Sequence, residues 1–410
     1  MADKKNPPAI SAISVKGFKA FYEEQRVEIR PLTLLAGANS SGKSSALQPL
    51  LLLKQTLEAP FDPGPLLLDG PLVRFTSPAQ FFSRAKDRDG DGTFSIFIET
   101  SDGKGIRDVF RRSGEFGVDL VNTEMPAKEG GYVAVTAGYD VSGLRFVRDR
   151  WFFELEVLAE FKFTGLTYNA RSLILSTIHV PGWRGNPSRS YRTTAVGDRF
   201  PGTFENYVAS VILSWQATQD PRLGLLDKGL QTMELTNQVR AKPIDATQIE
   251  ILVGRLPVES ELVNIADVGF GVSQVLPVLV ALLAAKPDQL VYLEEPELHL
   301  HPRAQQALAT VLVDAANRGV RVVAETHSSI LLLAVQTLVA EKKISPDKVM
   351  LHWFQQDARG ATKVTSGEMD QLGAYGDWPE DFGEVEAAVD NRYLDAVESQ
   401  VLPRKKRANK

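Results

Sequence analysis

The chain has 410 residues, 43% hydrophobic and 24% charged, ordinary proportions for a soluble globular protein with room for two or three structural units. With no cysteine and only 5 histidines, disulfides, thiolate metal sites and thiol nucleophiles are excluded, and little remains for an all-histidine metal centre. The formal net charge of −5 provides no global attraction for nucleic acid, so any such contact has to be local.

Met1 to Pro8 is polar and lacks the apolar stretch of a signal peptide. The longest apolar runs, Leu50–Leu53 and Val275–Ala285, fall well short of the roughly 20 residues that span a bilayer. A cytoplasmic protein without membrane contact is the expectation. Ala12–Phe18 and Arg26–Ile29 read as strands of an outer sheet. Phe18, Phe21 and Tyr22 either pack in a core or stack on a base.

The stretch Leu32 to Ser45 follows, and within it Gly37 to Ser44 spells G-x-x-x-x-G-K-S. Thr33–Leu35 before it reads as a buried strand and Ser45–Leu57 after it as an apolar helix, the strand–loop–helix order that a phosphate-binding loop requires. Gly37 and Gly42 let the backbone of Ala38, Asn39, Ser40 and Ser41 turn its N–H groups toward phosphate oxygens. The positive end of the following helix, at Ser44 and Ser45, adds to that field. Lys43 is expected to reach the β- and γ-phosphates and the Ser44 hydroxyl to ligand Mg²⁺. Pro49, inside the helix, removes a backbone donor and is expected to kink it.

Asp87 to Gly92 begins like a calcium loop, but Ile98 stands at the twelfth position, where a bidentate glutamate is needed. A polar hairpin turn is the better reading. From about 95 to 165 the chain is β-rich, and Phe153–Val157 alternates as a half-buried strand does. Basic and aromatic residues mingle from Val180 to Arg192, either to touch phosphate or nucleic acid or to pin this region to the core, the reading we favour. Thr203–Gln216 reads as a helix, and no sustained heptads appear.

Asp267-Val268-Gly269-Phe270-Gly271-Val272-Ser273-Gln274 leads into the apolar run Val275–Ala285, a second glycine-containing entry to a helix and so a second anion-binding end. Gln289–Leu293 reads as a strand ending in Glu294-Glu295-Pro296-Glu297. Carboxylates at the end of a buried strand need a cation or a proton to manage. Glu294 is expected to hold Mg²⁺, directly or through water, and Glu295 to polarise an attacking water. A third strand, Val320–Ala324, ends in Glu325-Thr326-His327. His327 is expected at the γ-phosphate or the attacking water, with Glu325 able to orient it.

Phosphate loop, G-x-G-x-S, acidic strand end and strand-end histidine stand here in the order of ABC-type ATPases. Gly37–Ser45, Asp267–Gln274, Leu293–Pro302 and Glu325–Ser328 resemble the SMC-like ATPases of the OLD (overcoming lysogenization defect) group, which are often found in bacterial anti-phage systems. The resemblance implies Walker A at Gly37–Ser44, the signature at Gly269–Gln274, Walker B at Glu294, a catalytic glutamate at Glu295 and a switch histidine at His327. It implies ATP and Mg²⁺ as cofactors and two heads that sandwich ATP, with Gly271 and Ser273 of one copy facing the nucleotide of the other. Glu294 departs from the aspartate of most ABC proteins. Gln80 is the candidate for the Q-loop, a further contact to the metal. Residues 328–410 are too few for the Toprim nuclease domain of many OLD proteins, and Gly376–Phe382 resembles the tail of stand-alone members. No nuclease site is therefore expected in this chain.

The expected fold is α/β, a P-loop NTPase of the ABC-ATPase head type with a β-rich inserted region. Residues 1–95 and 246–370 would form the two parts of the head, 96–245 the insert and 371–410 a tail. The expected function is an ATPase whose nucleotide-dependent homodimer or higher oligomer controls a separate effector protein, a nuclease or other toxin. A repair or chromosome-maintenance ATPase that binds nucleic acid directly, through the basic tail Arg404–Lys410 and the Arg184–Arg192 loop, is the alternative. A scaffold that binds ATP without turnover is the third reading.

Overall fold

The strand Leu32–Gly37 is buried at all six positions, and such a strand needs cover on both faces. In the computed structural model, which describes residues 8–84, 92–126, 131–136, 140–141, 144–150, 152–156, 166–255, 258–376 and 391–397, it lies inside a six-stranded sheet. The order across that sheet is Ile178–Val180, Leu290–Glu294, Arg321–Glu325, Leu32–Gly37, Val349–Gln356 and Thr362–Glu368. The first five strands run parallel, and the last returns antiparallel as the hairpin partner of Val349–Gln356.

Side chains alternate between the two faces of a strand, and here the alternation builds two cores. Leu34, Leu293 and Val322 face one, filled from the helices Val208–Ala217, Phe270–Ala284 and Pro302–Asn317. Leu35, Tyr292 and Val323 face the other, which they share with the helix Lys43–Glu58 and a second sheet. That second sheet is antiparallel, in the order Gln25–Glu28, Ile10–Lys16, Thr93–Thr100, Gly105–Ser113, Gly117–Pro126, Tyr132–Val135. Between the two sheets Leu50 to Leu53 are all buried, as a helix apolar on every side must be. Pro49 does not interrupt this helix. Phe18 and Phe21 are fully buried, and Phe18 packs with Phe75, Phe81 and Phe94, so these rings belong to the core rather than to a base-stacking surface.

The boundary expected after residue 95 falls inside the strand Thr93–Thr100. Ile178–Val180, from the span expected as insert, is an edge strand of the main sheet. Two smaller sheets, Asp140–Val141 with Leu144–Asp149 and Phe152–Glu156, and Tyr191–Arg192 with Val239–Pro243, Gln248–Arg255 and Val258–Asn264, complete the strands described. Among the described residues no helix is long and apolar enough to cross a membrane. The basic tail Arg404–Lys410, Asp377–Phe382 and Asp87–Asp91 of the calcium-like stretch lie outside the described residues.

Candidate active site

The parallel strands place their carboxyl ends together, where α/β sheets gather ligands. Leu32–Gly37 delivers the chain into a loop that only glycine can begin and end. Gly37 has φ 142° and Gly42 φ 109°. A Cβ on Gly37 would stand 2.3 Å from the Phe354 carbonyl oxygen, and one on Gly42 would stand 2.6 Å from Thr362 Oγ1. The loop is thus pressed against the final hairpin, which also donates to it from Gln356 Nε2 to the Ser40 carbonyl (2.8 Å) and from Thr362 Oγ1 to the Ser41 carbonyl (2.9 Å). Ala38, Asn39 and Ser40 remain exposed, Ser41 is buried and Ser45 is half-buried at the first turn of the helix. Lys43 is buried and its Nζ donates to the carbonyls of Gly37 (3.0 Å) and Ala38 (2.9 Å), so that its charge lies across the mouth of the loop.

Glu294 and Glu325 are register partners on adjacent strands, and Glu325 pairs in turn with Leu35 of the loop strand. Their carboxylates turn opposite ways. Ser44 Oγ donates to Glu325 Oε2 at 2.7 Å, and the Tyr292 hydroxyl donates to Glu325 Oε1. Glu294, expected to hold Mg²⁺ directly or through water, meets His179 Nε2 (3.0 Å) with one oxygen and accepts from the Gly182 amide (3.1 Å) with the other. Burial, with Glu294 alongside, pushes the Glu325 carboxyl up to about 8 against the opposing pull of Tyr292, Ser44 and Lys43. For Glu294 burial acts upward, but the His179 contact and the Gly182 amide outweigh it and hold the group below the usual range.

Glu295, at φ 43°, is one of the few non-glycine residues in the left-handed region, a cost of order 1–3 kcal/mol that clusters at functional sites. Its Oε1 lies 3.9 Å from His327 Nε2. Burial and then Lys43 hold the His327 ring below the usual imidazole range, against Glu295. Glu325 does not orient His327, as its sequence position suggested. Glu297 instead fixes the backbone beside the ring, its Oε1 accepting from Thr326 Oγ1 (2.5 Å) and the His327 main-chain amide (3.0 Å). Nothing local in the sequence marks Glu297 for it, since the contact spans 30 residues.

The second glycine-bearing entry begins the helix Phe270–Ala284, whose N-terminal Gly269 has no side chain to cap it. Gly269 and Phe270 are exposed, and Gly271 and Ser273 are half-buried. Gly271 lies close against Leu235, 3.2 Å from where a Cβ would stand. Ser273 Oγ donates to the Phe270 carbonyl (2.9 Å). No hydrogen bond described here joins Gly271 or Ser273 to the Gly37–Ser45 loop. Gln80, the candidate Q-loop residue, ends a short 3-10 turn, and its amide is committed to the Thr76 amide (2.8 Å) and hydroxyl (3.0 Å). It makes no described hydrogen bond to Ser44 or Glu294.

Pro181 to Arg192 ties the two regions together. Arg184 donates to the carbonyls of Glu294 (3.2 Å) and Glu295 (2.7 Å). Gln274 donates to the Gly185 carbonyl (3.0 Å), and Arg189 pairs with Asp267 at 2.6 Å. Arg184 therefore serves internal contacts, Arg189 holds its ion pair with Asp267 at the surface, and Trp183 is turned to solvent, 87% exposed.

Over the whole fold, the chain superposes on the crystal structure of an SmcHead bound to the C-winged helix domain of ScpA, with a TM-score of 0.55 at 11% identity, over 89% of this chain and 99% of that one. The chain has the P-loop ATPase fold of an SMC head. This head-type chain also aligns over 88% of its length with all of the SMC head domain from Thermotoga maritima, at 12% identity and a TM-score of 0.43. Residues 136–334 match the family model described as "AAA domain, putative AbiEii toxin, Type IV TA system". That segment includes Asp267–Gln274, Glu294, Glu295 and His327. No curated protein matches the sequence.

Proposed function

We propose that this protein binds ATP with Mg²⁺ and hydrolyses it between two copies of itself, and that the resulting dimer controls a separate effector, a nuclease or other toxin of bacterial anti-phage defence. The observation that supports this most is the division of the site: Lys43, Ser44, Glu325, Glu295 and His327 converge at neighbouring strand ends, whereas Ser273 stands on another helix with no hydrogen bond to that loop. The exposed N–H groups of residues 38–40 and the helix start at Lys43 would seat the phosphates. Lys43 would leave its two carbonyls for phosphate oxygens, a charge-assisted exchange. The oxygen donors beside the loop, a serine hydroxyl and a carboxylate, suit Mg²⁺, which is usually held by one or two protein groups with phosphates and water. Bound there, Mg²⁺ would neutralise charge between the β- and γ-phosphates. Glu295 would take the proton of the attacking water and His327 would contact the γ-phosphate.

Exposed Gly269 and Phe270 leave the second helix entry open to a partner copy. Such an entry would cap the nucleotide across a dimer interface. The family description that matches residues 136–334 names a putative toxin of a Type IV TA system, which is compatible with a place in a defence system. Arg184 is committed to backbone carbonyls, which takes one basic residue of this loop away from a direct nucleic-acid contact. The test is ATP hydrolysis and sedimentation of the purified protein, alone and with ATP, beside Lys43→Ala and Glu295→Gln. Turnover lost in both variants, with ATP-dependent dimers retained in Glu295→Gln, is the expected result. A parent that binds no nucleotide, or stays monomeric with ATP in every variant, would overturn the proposal.

A further inference from the structure

We infer that Glu325, and not Glu294, is the carboxylate that shares Mg²⁺ with Ser44, and that Glu294 belongs to a separate structural pair with His179. The inference rests on the ATP reading above and names the metal ligand within it.

Strand order supplies the first argument. Arg321–Glu325 lies directly beside the loop strand, and Leu290–Glu294 lies one strand further out, with Ile178–Val180 at the edge beyond it. At about 4.8 Å per strand, Glu294 starts nearly twice as far from the loop strand as Glu325. Its two oxygens meet His179 and the Gly182 amide of the edge segment, with the Tyr292 hydroxyl lying between it and Glu325. Reaching Ser44 would require Glu294 to give up both contacts and strand a buried histidine nitrogen.

Geometry supplies the second. Ser44 Oγ and Glu325 Oε2 are 2.7 Å apart. Two oxygens that are neighbours on an Mg²⁺ octahedron, each at 2.0–2.1 Å and at right angles, stand about 2.9 Å apart. The pair therefore needs to open by only about 0.2 Å, with the Ser44 proton rotated away, to present one lone pair from each group to the ion. The other Glu325 oxygen is fixed by the hydroxyl of Tyr292, which is fully buried and stacked on His179 at 5.2 Å. Tyr292 thus sets which oxygen Glu325 turns to Ser44. It is a positioning residue for this ligand, and His179 supports both it and Glu294.

The third argument is the donor set. Among the described residues no cluster of three or more histidine, aspartate or glutamate side chains could hold a metal by itself. A site of one hydroxyl and one carboxylate would be completed by phosphate and water, which is how Mg²⁺ sits in nucleotide sites.

Mn²⁺ serves as the probe, because its free form gives a sharp electron-spin signal that is lost on binding. The full-length parent, Glu325→Gln and Glu294→Gln are titrated with Mn²⁺ in saturating ADP, and ADP affinity is measured separately in EDTA. Glu325→Gln is expected to weaken Mn²⁺ binding tenfold or more and Glu294→Gln by less than threefold, with metal-free ADP affinity kept in both. An equal or larger loss in Glu294→Gln, or unchanged Mn²⁺ binding in Glu325→Gln, would overturn the assignment while leaving the ATP reading intact. If Glu325→Gln does not fold, Glu325→Asp replaces it: a loss of severalfold supports the assignment and no loss overturns it. A parent that binds no ADP in EDTA would instead overturn the ATP reading on which the assignment depends.

Discussion

The two helix entries of this molecule contrast sharply. The first, at Lys43, is closed on itself: its lysine rests on its own loop's carbonyls, its serine on a buried carboxylate, and its glycines press on a neighbouring hairpin. The second, at Phe270, is open, with Gly269 bare, Phe270 53% exposed and Ser273 bonded only to the local backbone. Beside that uncapped helix end the Phe270 ring keeps a contact with the His299 ring, centroids 6.2 Å apart. On the proposed reading, the contrast is between chemistry assembled within one chain and a cap left for another.

The sharpest way to break this contrast is to remove chemistry from the closed half. Glu295→Gln is expected to lower hydrolysis by roughly 10²–10⁴-fold, the usual worth of a general base, while ATP affinity stays within a few-fold. Turnover under saturating ATP checks it. Lys43→Ala should weaken ATP binding on the order of a hundredfold, since it removes charge-assisted bonds worth about 1.5–3 kcal/mol each; fluorescence titration with a labelled nucleotide reads the change. In the open half, Ser273→Arg should leave nucleotide affinity of the single chain within about twofold and abolish ATP-dependent dimers in sedimentation. The anchor between the halves gives a smaller effect. Arg184→Ala removes three bonds to backbone carbonyls, those of Pro181, Glu294 and Glu295, and is expected to cost about 1–3 kcal/mol of stability, measured by denaturant melts.

The smallest effect is in pH. Burial and Lys43 lower the His327 pKa in the folded chain, so the ring is neutral at pH 7 and hydrolysis should be flat above neutrality. As pH falls through the ordinary imidazole value near 6.5, the unfolded chain takes up a proton before the folded one does, so the contribution of His327 to stability declines there. Melts of the parent and His327→Gln at pH 5.5 and 7.5 should differ in that direction.

What the sequence discloses depends on how far apart the cooperating residues lie. The loop from Gly37 to Ser45 does its work with consecutive backbone groups, so its strand, turn and helix are legible as a string, and the strand ends at Glu294 and Glu325 follow from short apolar runs. The fold class was legible for the same reason. Which way each carboxylate turns was not. Glu294 is held by His179 across 115 residues, and the three-residue strand that carries His179 is too short to show any periodicity. Glu297 reaches the His327 amide across 30 residues. Pro49 stands inside the helix without ending it, because the helix is enclosed between two sheets and burial of Leu50 to Leu53 outweighs one missing backbone bond.

Arg184 grips the peptide carbonyls of Glu294 and Glu295 and neither carboxylate. Its directional bonds thus end on the main chain, while the two carboxylates act on its buried charge only through space. The same cation therefore fixes the path of the backbone and offsets part of the negative charge that this corner of the molecule concentrates.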